Sequence, residues 1–85
     1  MTKEELNEIA DQYDSELLLM DGFDDCILGV IESTTDSPKF CYSKKKVIEK
    51  LMSMGMDEEG AIEFHEFNQA GAHVGEGTPA FLQDL

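Results

Sequence analysis

The sequence contains no arginine and no tryptophan, and its last lysine is Lys50. Six lysines stand against nineteen acidic residues, which gives a formal net charge of −13 over 85 residues. Such a chain repels nucleic acid and anionic membranes, so direct nucleic-acid binding is disfavoured and a basic protein is the expected partner. No apolar run approaches the roughly 20 residues that a membrane-spanning helix needs, so we expect no membrane partner.

Cysteine is also scarce. Cys26 and Cys41 lie in apolar stretches without C-x-x-C spacing. This usage is typical of buried, reduced thiols, although the sequence alone leaves a disulfide between them open. The N-terminal stretch is acidic and lacks the basic beginning of a secretory signal, so we expect a cytoplasmic setting.

Most of the positive charge lies in one segment. Five lysines fall between Pro38 and Lys50, and the chain on either side of that segment is strongly acidic. The lysine segment of one copy could therefore meet the acidic flank of another, which favours a homo-oligomer, with a homodimer as the simplest form, that weakens at high salt.

Apolar periodicity predicts a first helix that begins at Thr2 and stops near Gly22. Thr2 and Glu5 have the spacing of a capping box. Apolar residues then recur at steps of three and four, as expected for one buried helical stripe. They are Leu6, Ile9, Ala10, Tyr13, Leu17 and Met20.

Two short strands follow. The β-branched run from Cys26 to Ile31 predicts a strand that is buried on both faces, and Gly29 within it indicates a bulge. Lys39 to Tyr42 predicts an antiparallel partner, with Phe40 and Tyr42 on one face and Cys41 on the other.

Two amphipathic helices complete the pattern. Ser43 is the predicted N-cap of a lysine-bearing helix, and Asp57 is the predicted N-cap of a helix whose apolar residues are Ala61, Ile62, Phe64 and Phe67. The segment 71–85 contains Gly and Pro and is expected to be partly extended, with Thr78 to Leu82 available as an edge strand. We predict one α+β domain over residues 1–85, with an N-terminal helix, an antiparallel β-hairpin, two amphipathic helices and this C-terminal strand.

A set of segments in order along the chain is similar to a known family. They are Gly22 to Val30, Tyr42 before the lysine helix, Glu66-Phe67-Asn68 with Gly71-Ala72, and Val74 to Pro79. They resemble a family of short, mostly uncharacterised proteins of tailed bacteriophages. The resemblance covers roughly Gly22 to Leu82 and implies a small accessory protein in an infected bacterial cell, without an assigned activity. In that family the third helix opens with a Ser or Thr cap and Ala at the position of Gly60, so the resemblance implies a less secure cap here.

No residue pattern predicts catalysis, a metal or a cofactor. His65 and His73 have no zinc-ligand spacing, and Asp21, Asp24 and Asp25 lack the alternation of a calcium loop. The glycine-containing segment after residue 70 has no lysine and leads into no helix, so it is interpreted as a structural turn and not a phosphate loop. The turn residues are Asn68, Gly71, Gly75, Glu76, Gly77, Thr78 and Pro79. We therefore expect a protein that is not an enzyme.

Two binding hypotheses remain. The first is an acidic face that engages a basic host or phage protein and modulates it, as a decoy of nucleic acid; its candidate residues are Glu58, Glu59, Glu63 and Glu66. The alternative is a homo-oligomeric interaction protein without mimicry, which uses an adaptable apolar patch of Met52, Met54 and Met56.

Overall fold

The first helix is shorter than its apolar periodicity predicts. The structure is a computed structural model that describes residues 2–70 and 77–84, and its helix α1 spans Lys3–Ala10. The predicted capping box is present: Thr2 Oγ1 accepts from the Glu5 amide at 3.2 Å, and Glu5 Oε1 accepts from the Thr2 amide at 3.0 Å. The predicted continuation to Gly22 is wrong. Asp11 and Asp14 lie three residues apart without a lysine between them, and such like-charge pairs weaken a longer helix.

The chain after α1 is held by distant contacts instead. Leu17 is buried in an irregular segment, and the Leu18 amide donates to the Gly77 carbonyl at 3.2 Å. Gly77 has a φ of +80°, and an ideal Cβ there would overlap the carbonyl oxygen of Glu16. Only glycine therefore fits where these two segments meet.

The sheet has three strands, β1 (Ile27–Ile31), β2 (Lys39–Ser43) and β3 (Ala80–Leu82), with β2 in the centre. β1 pairs with β2 antiparallel, as predicted, and the register shifts between Ile27 and Gly29, where a bulge was predicted. β3 lies on the other side of β2 and runs parallel to it. The predicted α+β fold, including its C-terminal strand, is confirmed.

Helices α2 (Lys44–Ser53) and α3 (Glu58–His65) follow the hairpin, and a π-helical stretch, Glu66–Ala70, continues α3. Ser43 Oγ accepts from the Lys46 amide at 3.2 Å, and Asp57 Oδ1 accepts from the Gly60 amide at 2.8 Å. Both predicted caps are therefore present. A Cβ on Gly60 would lie 2.8 Å from Asp57 Oδ1, so glycine leaves room for this cap.

A single buried cluster joins the helices to one face of the sheet. α1, α2 and α3 all contribute to it, together with β2 and the turn that precedes β1. Its members are Leu6, Leu17, Phe23, Cys26, Phe40, Tyr42, Val47, Leu51 and Ala61. We call the face of the sheet that packs on this cluster, with Phe40 and Tyr42, the inner face.

The prediction that the first strand is buried on both faces is wrong. Ile27 and Val30 pack against the core, but Leu28 and Ile31 are 47% and 40% exposed. Cys26 lies before the strand, in a 3₁₀ turn spanning Asp24–Cys26. The apolar run is thus covered on one face only.

Candidate functional site

The four glutamates of the predicted acidic face are all exposed. Glu59 and Glu63 are four residues apart and Glu66 follows three later, so these three lie along one side of the helix. Glu58 differs, because it lines the groove between α2 and α3 together with Ile62 and Met52. The structure therefore groups three of the four predicted residues and separates the fourth.

Phe67 stands beside these glutamates and points into solvent. Its sequence position predicts a place in the apolar stripe of the third helix, but it is 82% exposed, and Phe64 is also exposed. Neither phenylalanine belongs to the buried core cluster. Phe67 falls in the π-helical stretch, where the wider turn shifts side chains relative to the α-helical phase. We call Glu59, Glu63, Glu66 and Phe67 the α3 surface.

Within the described residues, two ion pairs are formed, and neither involves the α3 surface. Lys3 Nζ lies 3.2 Å from Asp21 Oδ1, and Lys50 Nζ lies 3.0 Å from Asp25 Oδ2. The hydrogen bond from Lys50 holds the pKa of Asp25 below its ordinary value. No lysine of the described segments pairs with the carboxylates of the α3 surface, which are exposed to solvent.

The predicted methionine patch is divided. Met54 is 57% exposed at the end of α2 and Met52 is exposed beside it, but Met56 is half-buried and packs against the core. The patch therefore consists of two residues. Met52 borders a groove of about 540 Å³ between α2 and α3, whose walls carry Lys44 and Lys45 as well as Glu49 and Glu58.

His65 is a packing residue. It is buried, its Nδ1 lies 2.9 Å from Gln69 Oε1, and its ring meets Phe81 edge-on with centroids 4.6 Å apart. These contacts join α3 to β3. His73 lies outside the described residues, and within residues 2–70 and 77–84 no three His, Cys, Asp or Glu side chains converge as metal ligands would.

The aspartates that suggested a calcium loop have other contacts. Asp21 and Asp25 are held by lysines from two different helices. Asp24 has one buried carboxylate oxygen, Oδ1, without a hydrogen-bond partner in the described part of the chain, and its charge helps to raise the pKa of Tyr42, an effect due mainly to burial. The three carboxylates therefore face separate surroundings.

The predicted structural turn is described only in part. Gly77 is buried, Thr78 and Pro79 are half-buried, and Asn68 Nδ2 donates to the Phe64 carbonyl at 3.2 Å. Gly71, Gly75 and Glu76 lie outside the described residues. Thr78, Pro79 and Asn68 also border an apolar groove of about 260 Å³ together with Leu18 and Met20.

Asp84 is a functional candidate that sequence reasoning missed. Its carboxylate accepts from Ser43 Oγ at 3.1 and 3.3 Å. Burial raises the pKa of the Cys41 thiol, and the negative charge of Asp84 raises it further. Ser43 and Asp84 are 41 residues apart, so no local pattern could have paired them. The contact fixes the end of β3 against the start of α2.

Comparison with protein-family models, with curated proteins and with solved structures returns no match to this chain. Among the helices that the structure describes, none is long and apolar enough to cross a membrane. Function has therefore to be argued from the surface itself.

Proposed function

We propose that this protein binds a basic protein partner through the α3 surface and competes there with nucleic acid. The observation that carries the proposal is Phe67, an aromatic side chain that is 82% exposed among three glutamates that form no ion pair within residues 2–70 and 77–84. Large aromatic side chains are frequent binding anchors when they enter a pocket on the partner, and surrounding charges set the approach and the orientation.

The spacing of the glutamates supports competition with nucleic acid. From Glu59 to Glu66 the helix rises by about 10 Å, so the three carboxylates lie about 5 Å apart along its axis. One strand of duplex DNA carries a phosphate about every 3.4 Å. A protein groove lined with lysine or arginine would therefore meet on the α3 surface a row of negative charges whose spacing is within a factor of two of that of the phosphates.

The resemblance of Gly22 to Val30 and of the later segments to phage proteins supports a setting. We propose an accessory protein that acts in the cytoplasm of an infected bacterial cell and modulates a host or phage protein there. A basic nucleic-acid-binding protein is the class of partner that the charge favours.

The test captures partners from bacterial lysate on tagged protein and compares two triple variants. One reverses the α3 surface, with Glu59, Glu63 and Glu66 each changed to Lys. The matched control reverses Glu4, Glu8 and Asp11, which are exposed around α1 and give the same change in net charge. Bound proteins are identified by mass spectrometry and then challenged with duplex DNA.

We expect the α3 variant to lose the partner, the α1 variant to keep it, and DNA to release it from the unmodified chain. Phe67→Ser should also weaken capture, although it changes no charge. Equal losses in both triple variants would mean that only net charge matters. Retention by the α3 variant would remove this surface from consideration.

A further inference from the structure

The outer face of the sheet, which is the face opposite the core, is apolar and largely exposed, although Ser43 at one end of it is fully buried. Leu82 is 50% exposed, in line with the exposure of Leu28 and Ile31, and Cys41 and Ala80 are half-buried without joining the core cluster. A Cβ placed on Gly29, in the middle of this face, would meet nothing within 4 Å. In the described part of the chain the helices contribute their buried residues to the inner face.

Register defines the layout of the outer face. The middle row is Gly29, Cys41 and Ala80, all small residues that are paired across the three strands. Ile31 and Lys39 form the row on one side, and Ser43 and Leu82 form the row on the other. The side chains along the middle of the outer face are therefore short, and longer side chains lie at either end.

The charges on this face are few and of opposite sign at its two ends. Lys39 lies at one end and has no ion-pair partner within the described residues. Asp84 lies at the other end, where its carboxylate accepts from Ser43 Oγ at 3.1 Å and also borders the groove between α2 and α3. The strand residues between these ends are uncharged.

We propose that two copies of this chain pack outer face to outer face around a twofold axis. The axis lies between the two sheets and parallel to them, runs perpendicular to the strands and passes near Cys41. Such an axis reverses the strand direction of the second copy and keeps β2 over β2. Cys41 is midway between Lys39 and Ser43, so Lys39 of each copy lies over the Ser43 and Asp84 end of the other. The contact is isologous, as closed dimers require.

Charge explains why this surface and not another would join two copies. Each copy carries a net charge of −13, so most of its surface repels a second copy. The outer face contributes one lysine and one acid at positions where the twofold axis brings them together. Apolar burial between the rows would supply the attraction, and the two Lys39–Asp84 pairs would set the orientation.

The salt dependence separates this dimer from one held by the lysine segment. Contact between lysines and acidic flanks weakens as salt screens it. Apolar contact between two strongly acidic copies strengthens from low to moderate salt, because the long-range repulsion is screened while the buried area is unchanged. We expect the second behaviour.

The first experiment measures mass by sedimentation equilibrium over a range of protein concentrations. We expect a reversible dimer for the unmodified chain. Ile31→Lys should raise the dimer dissociation constant by about tenfold or more, because it buries an unpaired charge. Met54→Lys is the matched control, since Met54 is more exposed than Ile31 and lies outside this face; it should keep the dimer. A monomer at every concentration, or the reverse order of the two variants, would overturn the proposal.

The second experiment tests the orientation by exchanging charges. Lys39→Asp and Asp84→Lys should each weaken the dimer of the variant alone, because like charges then meet at both ends. A mixture of the two variants should form heterodimers at close to the original affinity, because every pair is again of opposite sign. Circular dichroism establishes that each variant is folded, and two folded variants that fail to associate would overturn this arrangement.

Discussion

The two faces of the sheet are both mainly apolar but differ in what covers them. On the inner face, Phe40 and Tyr42 are fully buried beneath residues from all three helices. On the outer face, Leu28, Ile31 and Leu82 remain exposed. An apolar strand sequence therefore indicates that burial is favourable on both faces of the sheet. Which face is buried within the chain depends on where its helices pack.

This difference separates two kinds of stability. Contacts on the inner face are made within one chain, so substitutions there should destabilise the protein at any concentration. Contacts on the outer face would form only between copies, so substitutions there should matter only where copies associate. The following expectations test that separation.

The largest effect is expected at Leu51, which α2 places in the core with 2% of its surface exposed. Leu51→Ala should lower the free energy of unfolding by about 2 to 5 kcal/mol, because it removes buried contacts and leaves a cavity. Urea denaturation measures the loss. Met52→Ala is the control on the same helix and should cost less than about 1 kcal/mol, since Met52 is exposed. Similar losses for both would mean that α2 does not bury the side that the structure shows.

A smaller loss is expected at alkaline pH. Burial, with the charge of Asp25 nearby, raises the pKa of Cys26 from 9.0 to about 11, and burial also raises the pKa of Tyr42. A raised pKa means that the folded state favours the neutral thiol, so this stability is present below pH 9 and is lost as the pH rises towards 11. The contribution of Cys26 is about 2 to 3 kcal/mol.

Denaturation curves at several pH values measure this dependence. Cys26→Ala should flatten the alkaline decline, whereas Cys41→Ala should change it less, because Cys41 is only half-buried. An unchanged slope in Cys26→Ala would contradict the burial of this thiol. Cys26 should also react with a thiol reagent only as fast as the protein opens.

The hydroxyl of Tyr42 should contribute about 1 kcal/mol. Tyr42 Oη accepts from the Met20 amide at 2.7 Å and so holds the irregular segment after α1 against β2. Tyr42→Phe keeps the ring in the core but leaves that amide without its acceptor. Thermal unfolding measures the change, with Tyr13→Phe as the control at a half-buried tyrosine outside the sheet. No change in Tyr42→Phe would show that water replaces the hydroxyl at no cost.

Local signals predicted most of the fold. The caps at Thr2, Ser43 and Asp57 and the bulge at Gly29 depend on residues a few positions apart, and all of them are present. The end of α1 could not be predicted in this way. Leu17 and Met20 continue the helical periodicity, but their contacts with the core and the hydrogen bond from the Leu18 amide to Gly77 outweigh it.

The surfaces were harder to predict than the fold. The acidic positions on α3 follow from the helix phase alone, but the exposure of Phe67 depends on the π-helical stretch, which has no clear signal in the sequence. The outer face depends on register: only the pairing of Gly29, Cys41 and Ala80 shows that these small residues form one row. Such pairing between distant strands cannot be predicted from the sequence of any single segment.

The smallest effect in dilute solution is expected at Leu82, and its dependence on concentration makes it the sharpest test of the two faces. Leu82→Thr keeps a residue that favours strands at an exposed position of β3, so it should change stability by less than about 0.5 kcal/mol in dilute protein. If copies pack through the outer face, the melting temperature of the unmodified chain rises with protein concentration, because the dimer stabilises the folded state by mass action. The variant should show a smaller rise, so the two melting curves separate only when concentrated. Melting curves that coincide at every concentration would mean that the outer face remains exposed to water. The two faces would then differ only in what the chain itself covers, and no second copy would bind to the outer face.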